Sequence, residues 1–63
     1  MSDYKKNIIA KAFFVKELGE SKNNIGLVDD ANAVIDFVKS QDFDTHNLLQ
    51  MESYRIVNRV YHR

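Results

Sequence analysis

Four apolar positions, Ala31, Val34, Ile35 and Val38, recur at three- and four-residue intervals, while Asn32, Asp36, Lys39 and Ser40 gather on the other side. That pattern matches the 3.6-residue turn of a helix with one buried face, and Asp29 or Asp30 can cap its start. The spacing predicts an amphipathic helix within 27–40. Gly19 and Gly26 frame a run rich in turn formers before it, and a polar break over 40–45 succeeds it. With no proline and no repeat, the chain divides into segments of roughly 4–18, 27–40 and 46–62.

The first segment fits two periods. On a helix, Ser2 or Asp3 would cap the start and Gly19 would stand just past the end. Lys11 then falls between Leu18 and Val15 on the wheel, and Lys16 between Ala12 and Ile9, so the apolar stripe is broken. With period two, Ile8, Ala10, Ala12 and Phe14 share one face and Ile9, Phe13 and Val15 the other, as in a strand buried on both sides. The expectation is a strand.

The last segment is also double-valued. Leu48, Leu49, Gln50, Met51 and Glu52 favour a helix capped by Asp44 or Thr45. From Tyr54 onward β-branched and aromatic residues dominate, with Tyr54, Ile56 and Val60 opposite Arg55, Arg59 and Arg63. Across the chain, eleven Ile plus Val and seven aromatics outnumber ten Leu, Ala and Met. That balance selects an α+β fold in the order strand, short strand at 24–28, helix, strand, with an all-α three-helix bundle as the alternative.

Sixty-three residues make one small domain, 1–63, which buries only about 60% of the surface its unfolded chain exposes. There is no cysteine for a disulfide framework, and two histidines without cysteine argue against structural zinc. The longest strongly apolar stretch, 8–15, contains Lys11 and falls far short of the roughly 20 residues of a membrane-spanning helix. No secretory-signal pattern is visible, so the expectation is a cytoplasmic chain with no membrane partner.

Nine basic and nine acidic side chains give a formal net charge of zero, which weakens the case for nonspecific nucleic-acid binding. The sum hides an order. Residues 4–16 carry Lys5, Lys6, Lys11 and Lys16 with no acid, 29–44 carry five Asp against Lys39, and 53–63 carry three Arg with no acid. Internal pairing, the acidic helix lying across two basic edges, is one outcome of that arrangement.

Little in the chain points to catalysis. His46 and His62 are the only histidines, and none of Ser2, Ser21, Ser40 and Ser53 lies in a Gly-x-Ser-x-Gly elbow. A ribonuclease-type toxin using His46 or His62 is the weakest functional reading. The acidic run from Asp42 to His46 opens like a calcium loop but has Asn47 and Ser53 where glycine and glutamate are needed. Gly19 and Gly26 do not match a phosphate-binding spacing. The expectation is no enzyme, no cofactor and no metal.

The surface is more informative. Arg55, Arg59 and Arg63, spaced by four, share a face on a strand and remain neighbours on a helix. With Tyr54 and Tyr61 they form a candidate partner-binding set, since Arg and Tyr are enriched in interface hot spots. An open strand edge would add docking by β-augmentation. The main expectation is therefore a small non-enzymatic protein that binds and modulates or inhibits a protein partner, with a homodimer as a further option. Its size and its Asn- and Lys-containing, proline-free make-up resemble, in style and in no motif, phage or mobile-element accessory proteins such as antitoxins and anti-defence inhibitors. The stretch 14–25, with Gly19 at a turn and Ser21, Lys22, Asn23 and Asn24 as polar reading residues, resembles the helix-turn-helix core of phage Cro and repressor families. That resemblance implies the alternative function, a DNA-binding transcriptional regulator. Val15 and Glu20 depart from the motif's small and apolar positions, and Gly26 weakens the second helix.

Overall fold

The computed structural model describes residues 3–63. Among these residues four helices succeed one another: α1 over Asp3–Ser21, α2 over Ile25–Lys39, α3 over Thr45–Gln50 and α4 over Glu52–Tyr61. No strand occurs among the described residues, so the α+β expectation is overturned and the domain is all-helical. Segments 4–18, 24–28 and 54–62, all expected as strands, contribute to helices, and no sheet edge exists there for β-augmentation. The Ser2 cap lies outside the described residues.

The strand expectation fails at α1 for a specific reason. The buried residues of this helix, Ile8, Ala12, Val15 and Gly19, form a narrow stripe, while Phe13 and Phe14 point outward. Lys11 and Lys16, which break the stripe on the wheel, are only half-exposed. Their ammonium groups lie 5.5 Å from the Tyr61 ring centroid and 5.8 Å from that of Phe13. Such side chains lay an apolar stem along the surface and keep the charge in water, so a lysine beside the stripe need not expel the helix from the core.

Gly19 does not end α1. A side-chain carbon built there would stand 2.9 Å from Val28 Cγ2 and 3.2 Å from both the Asn24 carbonyl oxygen and the Val28 amide nitrogen. The glycine lets the start of α2 pack directly on α1. The helix ends at Ser21, and just beyond it Asn23 takes a left-handed φ of 55°. Asn24 N–H donates to the Gly19 carbonyl (2.8 Å) and Asn23 N–H to the Glu20 carbonyl (3.2 Å), the paired bonds of a Schellman termination. Asn24 then caps α2, its side-chain oxygen accepting from Leu27 N–H at 3.1 Å. Thus α2 is capped at Asn24, earlier than the Asp29 or Asp30 cap expected from the sequence.

The second break folds as a compact connector: Ser40 Oγ accepts from Asp42 N–H at 2.9 Å. Asp44 caps α3 by accepting from Asn47 N–H at 2.8 Å, and Asn47 Nδ2 donates to its other oxygen at the same distance. Met51, extended at φ −73° and ψ 126°, separates α3 from α4.

The core is wholly apolar: Ile8, Ala12 and Val15 from α1, Ala31, Val34, Ile35 and Val38 from α2, Leu48 from α3 and Val57 from α4. The four apolar positions that predict the middle helix are the four that α2 buries. Leu48 is fully buried in this core although its helix, six residues long, is too short to persist alone in water. One side-chain hydrogen bond ties α4 to α2, Ser53 Oγ donating to Asp30 Oδ1 at 3.0 Å in a half-buried setting. Among the described residues, no helix is long and apolar enough to cross a membrane.

Candidate functional site

The five residues expected to act together divide between two sides of α4. Arg55 and Arg59 stand one turn apart on its exposed side, and Arg63 lies just beyond its end, with its backbone N–H donating to the Val60 carbonyl at 3.3 Å. Tyr61 lies two positions past Arg59, about 200° around the helix, and Tyr54 precedes Arg55 by about 100°. The tyrosines flank the side that packs on α1; the arginines do not.

Arg55 is held locally. Its Nε–H donates to the Leu49 carbonyl at 3.4 Å, meeting one of the carbonyls that α3 leaves free at its C-terminus. Arg59 and Arg63 make no ion pair or side-chain hydrogen bond with the described residues. Asp29 and Asp36, on the exposed side of α2, are likewise unpaired there, and Asp30 accepts from Ser53 rather than from a cation. The basic and acidic zones of the sequence are therefore not joined through these groups, and an exposed arginine ridge is left on α4.

The tyrosines are built into the seam between α1 and α4. Tyr61, 39% exposed, meets Phe14, 53% exposed, edge-to-face with ring centroids 5.4 Å apart, and the His62 ring packs on Tyr61 at 5.2 Å. Tyr54 packs against the core, and burial pushes its phenol above the ordinary value of 10, with the neighbouring Tyr4 adding to the shift. Tyr54 is thus mainly a packing residue. Sequence reasoning misses the exposed Phe13 and Phe14 because period two places them inside a strand.

The Ser21, Lys22, Asn23 and Asn24 set falls on the last residue of α1 and the turn after it, with α1 continuous through Gly19. Two of these four have structural duties, Asn23 in the left-handed C-terminal position of α1 and Asn24 as cap of α2. With Gly19, Glu20, Ile25 and Val28, the asparagines line a shallow depression. His46 is exposed at the start of α3 and His62 is exposed just past α4. No group of three or more His, Asp or Glu side chains among the described residues is placed to hold a metal ion.

Comparison with protein families, curated proteins and solved structures finds no match to this chain.

Proposed function

We propose that this chain is a small non-enzymatic protein that binds an acidic surface of a protein partner through the arginine ridge of α4, and modulates the partner by covering that surface. The observation that carries the reading is the ridge itself: Arg59 and Arg63 are exposed and have no partner among the described residues, and Arg55 is oriented by its bond to Leu49. Guanidinium groups suit such contacts because their planar forks bind carboxylates with two parallel hydrogen bonds. An ordered Arg55 loses less side-chain freedom on docking than a freely rotating one.

Affinity capture coupled to mass spectrometry, comparing the wild type with Arg59→Ala/Arg63→Ala, tests the reading. Arg55 is left intact so that the α3–α4 junction is undisturbed. The expected result is a protein partner whose recovery falls with the double variant and with rising salt. Recovery of the same proteins in the same yield by both forms would overturn it.

A further inference from the structure

We propose that α1 is the contact helix of a two-fold symmetric dimer, lying antiparallel against α1 of a second copy of this chain. The side of α1 turned away from the core carries Asn7, Ala10, Phe14, Glu17 and Ser21, all exposed. Their spacing alternates three and four residues, the repeat by which one helix presents a continuous seam to another. At its middle stands Phe14, an aromatic side chain more than half exposed, one turn from the small Ala10. In the antiparallel pairing, Phe14 of each copy fills the space beside the other's Ala10. Small opposite large is the complementarity that a self-associating seam needs.

Charge selects the direction and the occupant. Along one flank of this seam run Lys6, Phe13 and Glu20, spaced by seven and all exposed; the opposite flank is taken by Tyr61 and α4. A parallel pair would turn this flank toward the opposite flank of the other copy, where Tyr61 and α4 stand, and would leave Lys6 and Glu20 without each other. The antiparallel pair sets each Lys6 beside the other copy's Glu20, at both ends, with the two Phe13 rings meeting near the axis. A two-fold interface requires such self-complementarity. Glu20 forms no ion pair among the described residues, so it remains available for this contact. One helix per copy buries less than a standard interface, so the dimer is concentration-dependent.

Sedimentation equilibrium of the full chain over a concentration series tests the proposal. Phe14→Ala should weaken self-association by roughly tenfold or more, as truncation of a central aromatic anchor does. Lys6→Glu alone and Glu20→Lys alone should each weaken it, whereas an equimolar mixture of the two should recover the wild-type constant, because every cross-pair is then opposite in sign. All three side chains are exposed, and unchanged circular dichroism verifies that the variants fold. A wild type that stays monomeric up to its solubility limit overturns the proposal. So does self-association unaffected by Phe14→Ala, or a mixture that fails to recover. Arg59→Ala/Arg63→Ala should leave the dimer unchanged, which separates this inference from the arginine-ridge function.

Discussion

Replacing each glycine by alanine should move stability in opposite directions. In an ordinary helix interior the change is favourable by about 1 kcal/mol, because alanine loses less backbone freedom on folding. At Gly26 the added carbon would meet only Asn24 Oδ1 at 3.6 Å, an ordinary contact, so Gly26→Ala should stabilise by about 0.5–1 kcal/mol. At Gly19 the same carbon would stand 2.9 Å from Val28 Cγ2 and 3.2 Å from two backbone atoms of the α2 start. The valine methyl can rotate, but the Asn24 carbonyl and Val28 amide are fixed by the cap and first turn they belong to. Overpacking of this kind costs about 1–3 kcal/mol, and two backbone contacts put Gly19→Ala at the upper end. Subtracting the helix gain leaves a net loss of about 2 kcal/mol, which in a domain this small lowers Tm by roughly 8–16 °C. Thermal unfolding by circular dichroism reads both variants directly. A Gly19→Ala protein as stable as the wild type would refute the close approach of α1 and α2 at this point.

Other expectations concern the turn and the buried phenol. Asn23→Ala places an alanine at φ 55° and should cost about 1 kcal/mol, while Asn23→Gly should be neutral or slightly stabilising; urea midpoints compare the two. The raised Tyr54 pKa means that the folded chain holds this proton more tightly than the unfolded one. Its contribution is fully present below the unfolded value near 10 and is lost as pH rises through the higher folded value. Tyr54→Phe should therefore show a smaller fall in Tm than the wild type between neutral pH and pH about 11, and identical slopes would contradict the assignment.

The middle helix is legible in the sequence because Ala31, Val34, Ile35 and Val38 are the residues α2 buries and no other period fits them. Asp44 is legible as a cap because a polar break precedes it and helix formers come after it. The outer helices are not. In α1, lysines flank the buried stripe and two phenylalanines face outward, so neither period is clean until the stems and rings pack together in three dimensions. In α4, a spacing of four satisfies two strand repeats as well as one helical turn, so the arginine positions cannot separate the two. The helical solution keeps the arginines on one ridge but moves Tyr61 away from them and onto Phe14. Gly19 resembles a terminator because a close helix crossing leaves no mark in the local sequence; the left-handed residue that ends α1 is Asn23.

Both surfaces assigned to this chain depend on α1 and α4 being continuous helices that place Phe14 against Tyr61. Solution NMR measures that arrangement directly, through Cα secondary shifts along 3–21 and 52–61 and through nuclear Overhauser contacts between the two rings. Helical shifts are expected across both ranges, unbroken at Gly19, together with Phe14–Tyr61 ring contacts. Extended shifts over 8–15 or 54–60, or a helix that stops at Gly19 with no contact between the two rings, would contradict the fold and remove the basis of both surfaces.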